Sequence, residues 1–188
     1  MMKKHFNLIA FTVLTALVFT ACKKDDPDVP NEEEVITTLN YTLTPAGGGA
    51  TVTLSFVDLD GDGGNAPTIT GGTLAANQTY TGTMELLNET ETPAENVTTE
   101  IEEEALDHQF FFQTNISNLN IAYNDVDANG NPIGLSSTLS TDSVAASGTI
   151  TVTLRHEPNK SATGVSGGDI TNAGGETDIE VVFPVDVQ

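Results

Sequence analysis

Carboxylates spaced two residues apart in a glycine-bearing turn can converge on one hard cation, and this chain carries that spacing twice. Asp58, Asp60 and Asp62 precede Gly63, the D-x-D-x-D-G opening of a calcium loop in which glycine permits the sharp bend. Ile69 occupies the twelfth position, where the bidentate glutamate of an EF-hand belongs, so the expectation is a calcium-stabilised turn between strands. Asp125, Asp127 and Asn129 before Gly130 repeat the pattern, and Asn129-Gly130 is equally a strong hairpin signal. A softer chemistry belongs to His108 and His156, which together with nearby acids could hold zinc, copper or iron. His108 follows Asp107 and the run Glu102-Glu103-Glu104, whereas His156 shares parity with Ile150, Val152 and Leu154. That parity predicts a side chain turned toward the buried face. Nothing in the spacing alone brings the two imidazoles together.

Nucleophilic chemistry finds no support. Gly164-Val165-Ser166-Gly167-Gly168 spells G-x-S-x-G, but no histidine follows Ser166, and a nucleophile elbow needs both that histidine and a strand-to-helix turn. The glycine-rich tract from Gly164 to Gly175 reads instead as a flexible loop. No enzyme is expected. Nucleic acid is excluded as a partner by charge: 27 Asp and Glu face 6 Lys and Arg, and a phosphate-binding surface needs clustered cations. From Val35 onward the chain keeps 21 acids and only Arg155 and Lys160, so the domain attracts cations.

The first residues set the compartment. Lys3 and Lys4 lead into an apolar run from Phe6 to Phe19, which ends in Thr20-Ala21-Cys22. The run is shorter than the roughly 20 residues of a spanning helix and reads as an export signal. Phe19-Thr20-Ala21-Cys22 resembles the lipobox of bacterial lipoproteins, with Phe where that family prefers Leu. The resemblance implies cleavage after residue 21 and acylation of Cys22, a multi-chain anchor in the outer-membrane lipid. Lys23-Lys24-Asp25-Asp26 resembles the lipoprotein export signal of Bacteroidota, which implies display on the cell exterior. Asp142-Ser143-Val144 resembles the short O-glycosylation acceptor of the same group, and serves equally as an ordinary loop. The expected organisation is a signal peptide over 1–21, a lipidated acidic tether over 22–34 and one domain over 35–188.

That domain must position whatever chemistry is present, and its dominant signal is a period of two. Leu39, Tyr41 and Leu43, then Ala50, Val52, Leu54 and Phe56, alternate with polar residues on either side of Gly47-Gly48-Gly49, which predicts a hairpin with one wet face. Further runs are Tyr80, Met84 and Leu86; Leu119, Ile121 and Tyr123; Ile133 and Leu135; Ile150, Val152 and Leu154; and Ile179 through Val187. The outward positions are rich in threonine, which suits a half-buried pleated surface. Seven to nine strands separated by Gly, Asn, Asp and Pro clusters predict an all-β fold. Its expected form is an antiparallel β-sandwich with immunoglobulin-like, Greek-key connections and at most one short helix. Thr92-Pro93-Ala94-Glu95 has capping-box spacing ahead of Val97, Ile101 and Ala105, yet the same segment also fits a strand.

Four segments, Ile101 to Phe111, Asp125 to Leu135, Leu154 to Lys160 and Gly174 to Ile179, resemble a family of small Bacteroidota lipoproteins. Members are often labelled as having a "type 1 periplasmic binding fold". That label implies a two-lobed α/β structure, which the period-two alternation opposes. The resemblance implies location and size rather than an activity. The expected function is a non-enzymatic surface module that binds a metal or small ligand, an accessory to an outer-membrane transporter. A calcium-stiffened structural or adhesive surface protein is the alternative.

Overall fold

A computed structural model describes residues 34–61 and 63–188; the export signal, Cys22, the Lys23–Asp26 cluster and Asp62 lie outside the described residues. The alternating runs become strands, ten among the described residues: β1 (Thr38–Pro45), β2 (Val52–Val57), β3 (Thr68–Thr70), β4 (Gly72–Leu74), β5 (Thr79–Leu87), β6 (His108–Thr114), β7 (Leu119–Tyr123), β8 (Ser136–Thr141), β9 (Ala146–His156) and β10 (Glu176–Val187). One sheet has the order β3-β2-β1-β5-β8-β7 and the other β4-β10-β9-β6. All pairings are antiparallel except β4 with β10. Because β5 returns to lie beside β1 after the β1-β2-β3 meander, the first sheet contains a Greek-key arrangement. The fold is the expected all-β sandwich.

Period two decides what the sheets bury. Leu39, Tyr41 and Leu43 of β1 meet Phe110 of β6, Ile150, Val152 and Leu154 of β9, and Val181 and Phe183 of β10 in a single core. Thr79, Thr81 and Thr83 point outward from β5, where β-branched polar side chains favour the pleat and keep the surface wet. The inward position between Thr81 and Thr83 is Gly82. A Cβ there would lie 2.5 Å from both the Tyr41 ring and the Ser137 hydroxyl. Those two groups share a buried hydrogen bond of 2.7 Å, so the glycine makes room for a polar contact inside the core.

The segment that fitted either helix or strand is helical. Helix α1 spans Val97–Glu103 and buries Val97 and Ile101, the apolar positions one turn apart. Its N-cap is Asn96 rather than the expected Thr92 box, because Glu95 pairs through its backbone with Asn88 at the end of β5. No helix among the described residues is long and apolar enough to cross a membrane.

Two further expectations change. Ile133 and Leu135 belong to a turn region, and the strand that follows is the Ser- and Thr-rich β8, whose lone apolar member, Leu139, is fully buried. The glycine-rich tract is an ordered cap. It forms 3-10 turns at Val165–Gly167 and Ile170–Asn172, and Val165 and Ala173 are buried against Phe111. This accounts for three consecutive phenylalanines in one strand: Phe110 enters the sandwich core, whereas Phe111 is covered from the other face.

Replacing Gly82 with alanine is expected to lower stability by about 1–3 kcal/mol through overpacking against Tyr41. Chemical denaturation of the wild type and Gly82→Ala checks this, and the companion change Ser137→Ala should not restore the loss, since the ring itself blocks the methyl.

Candidate metal centre

The two histidines that spacing could not connect are cross-strand neighbours. β6 and β9 pair in a register that sets His108 opposite His156, and direct partners in an antiparallel ladder share a face. Their ring centroids are 4.5 Å apart. His108 and His156 are both buried, and His156 faces inward as its parity predicts.

A third strand adds a carboxylate by breaking its own alternation. β10 pairs Glu176 with His156 and Thr177 with Arg155, then resumes with Ile179 opposite Leu154. Asp178 is the extra residue of this β-bulge, a device that re-aims a side chain. Ile179 and Val181 remain inside, and the Asp178 side chain is also fully enclosed. Gly175 at φ +70° lies where a Cβ would overlap the His156 carbonyl and the Glu157 backbone. Glycine therefore lets the start of β10 close on the end of β9. The fourth member, Glu34, comes from the segment before β1 and crosses from the first sheet's side to the second.

The four side chains form a compact set in which one ligand atom from each lies within 4.8 Å of the others. His108 Nε2 is 2.8 Å from Glu34 Oε1 and 3.9 Å from Asp178 Oδ2. His156 Nδ1 is 3.5 Å from Glu34 Oε2 and 3.8 Å from Asp178 Oδ1. Metal-ligand bonds of 2.0–2.2 Å in a tetrahedron would separate neighbouring donors by about 3.4 Å, and the observed distances bracket that value. On the far side of its ring, His108 Nδ1 donates to the Glu104 carbonyl at 3.2 Å. A carbonyl only accepts, so this bond fixes the tautomer and turns Nε2 toward the carboxylates, as an outer partner of a metal-bound histidine does. His108 Nε2 is partnered by Glu34 Oε1 across the 2.8 Å contact, whereas Glu34 Oε2 and His156 Nδ1 are buried and make no hydrogen bond.

Electrostatics here favour a cation. Burial works to lower the His108 pKa, but the Glu34 hydrogen bond and charge, the Glu104 carbonyl and the Asp178 charge together outweigh it and hold the pKa above the ordinary imidazole value. For Glu34, burial disfavours the charged form, yet its backbone hydrogen bond and the two histidines pull its pKa below the usual carboxylate range. Glu100 on α1 is raised by burial first, then by Glu95, Glu34 and Glu104. The acids around the cluster thus repel one another in the absence of added positive charge.

The calcium expectations fall elsewhere. Asp58 Oδ1 accepts from the Gly61 N–H at 3.0 Å, and Asp60 Oδ2 accepts from the Asn65 backbone and side chain at 3.0 and 2.6 Å. Asp62, the third acid, lies outside the described residues. In the second loop Asp125 accepts from the Gly134 and Ser136 N–H groups, both at 2.9 Å. Asp127 Oδ1 accepts from Asn129 and Asn131, and its Oδ2 pairs with Lys160 Nζ at 3.0 Å. Asn129 contributes its backbone to this turn, and Val126 bridges Pro132 across it, which is the hairpin that Asn129-Gly130 signals. The Lys160 ammonium, buried and also held by the Ala105 and Pro132 carbonyls, supplies the positive charge that a calcium ion would bring. Burial opposes the charged form of Asp127, but the Asn131 N–H, Lys160 and the Asn129 N–H hold its pKa below the ordinary value.

Glu34 and Asp178 are the residues that sequence reasoning missed. Glu34 sits at the end of an acidic run assigned to the tether, and Asp178 lies at the wrong parity until the bulge is seen. The chain matches no protein-family model, and no curated protein or solved structure is significantly similar to it. Fold and site define an all-β sandwich that carries a buried cluster of two histidines and two carboxylates.

Two stability measurements follow. In metal-free protein the raised His108 pKa contributes stability that is complete below the unfolded value near 6.5 and is lost as pH rises through the folded value. The depressed Glu34 pKa contributes stability that is complete above the unfolded value near 4.3 and is lost as pH falls through the folded value. Denaturation with a chelator present should therefore show this pair's contribution greatest between those two limits, and His108→Gln should flatten the alkaline side. Separately, Lys160→Met should cost about 3–5 kcal/mol by leaving Asp127 buried without its partner, as read by denaturant midpoints.

Proposed function

We propose that this chain is an exported, lipid-anchored binding module that takes up a divalent transition metal through Glu34, His108, His156 and Asp178. The observation that carries the reading is the convergence of four ligand side chains from four separate segments. Two of their buried donor atoms, Glu34 Oε2 and His156 Nδ1, lack a hydrogen bond. Such atoms normally find partners in a folded protein, and one cation would satisfy both.

Two imidazoles beside two carboxylates suit zinc, iron, manganese or cobalt better than calcium, which prefers an all-oxygen shell. Two neutral imidazoles and two carboxylates would balance a dication, leaving no net charge in the buried space. Acylation of Cys22 and outward display, both read from the N-terminal sequence, would place the site where extracellular metal is met. The role is that of a binding partner to an outer-membrane transporter rather than of a catalyst.

Isothermal titration of the purified chain with zinc tests this. The expected result is one ion per chain, with affinity lowered at least 10- to 100-fold by His108→Ala, His156→Ala or Asp178→Asn, and insensitivity to millimolar calcium. Zinc at 100 times its dissociation constant should raise the stability of the wild type by about 2.7 kcal/mol. Tight binding that survives both histidine substitutions would place the ion elsewhere and overturn the assignment.

A further inference from the structure

The cluster does not end at its own ligands. A cleft of about 520 Å³ adjoins it, lined by Glu34 and Asp178 together with Ile36, Phe56, Asp58 and Glu180. Two ligands of the centre are thus walls of a solvent-open space. The loop that spacing singled out as a calcium site meets that space at Asp58, whose Oδ1 is fixed by the Gly61 N–H.

The four ligands also differ in how they are held. His108, His156 and Asp178 stand on three adjacent strands of one sheet, tied by the β6-β9 and β9-β10 ladders. Glu34 alone precedes its strand. Its side chain is 8% exposed, while its neighbour Val35 is 56% exposed and opens to solvent. A small rotation of Glu34 would uncover the cluster toward the cleft, whereas the other three ligands move only with the sheet.

Resting on the metal reading above, we propose that this cleft is the port through which a hydrated dication enters and leaves the centre, with Asp58 as its steering charge and Glu34 as its swinging ligand. The metal is then exchangeable cargo rather than a resident structural ion. Steering follows from Coulomb attraction focused in a concave, acidic space, and it weakens as salt screens it. Any proton carried by His108 leaves to solvent as the ion binds, and no redox step is involved.

Stopped-flow mixing of the full chain with zinc, followed by displacement into excess chelator, tests the proposal. At low salt Asp58→Asn is expected to slow zinc association roughly three- to tenfold, and Asp58→Lys to slow it further. Asparagine retains the acceptor for the Gly61 N–H, so folding is preserved and circular dichroism should be unchanged. Asp186→Asn, at the opposite end of β10, serves as the charge control and should leave the rate unaltered. Chelator should remove zinc much faster than the chain unfolds. Unaltered association in both Asp58 variants, or zinc release only at the rate of global unfolding, would overturn the port while leaving the metal centre intact. Failure of the wild type to bind zinc at all would overturn the centre, and the port with it.

Discussion

Like charges held close together with little access to water need a counter-charge, and the Glu34–Asp178 pair imposes that requirement on one end of this sandwich. Two carboxylates whose side chains are 8% and 0% exposed forgo most of their hydration. Unpaired burial of such groups costs several kcal/mol each. Protonated imidazole can supply the compensating charge, which is why His108 is held above its ordinary pKa despite burial. On the proposed reading, a dication at the same point would supply more charge, let both imidazoles remain neutral and so compete with the proton for this position.

The sandwich supplies the rigidity that such a site needs. Adjacent strands hold His108 and His156 side by side through a ladder, not through flexible loops, so their separation is fixed by strand spacing. Helix α1 has little core of its own, but its end places the Glu104 carbonyl against His108 Nδ1. The bulge at Asp178 and the close approach at Gly175 bend β10 toward β9 at the level of the histidines. Distortions of this kind sacrifice regular pairing, and they are concentrated where the ligands meet.

Legibility in the sequence follows from which physical rules are local. Alternation is local, and it placed β1, β2, β5, β7, β9 and β10 as well as the inward face of His156. It failed at β8 because Ser and Thr on both faces leave only Leu139 to mark the core, and at 133–135 because apolar residues also pack in turns. It could not settle 92–105, where Val97 and Ile101 fit both periods and only packing against β5 selects the helix. The register that joins His108 to His156 is a tertiary property. So is the bulge, which hides Asp178 at an outward parity, and so is the path that carries Glu34 from an acidic run into the second sheet.

The two Asp-rich turns show that the same spacing also serves hydrogen bonding within a turn. Both satisfy their first acids with backbone N–H groups, as aspartates in turns generally do. The second goes further and meets its charge with Lys160, one of two basic side chains from Val35 onward. That lysine is withdrawn from the surface to neutralise Asp127, so it cannot offset the remaining acids. Arg155, the other, is directed in part to the Gly175 carbonyl. Among the described residues both basic side chains are committed to structure, so the excess negative charge of this domain is met chiefly from solution.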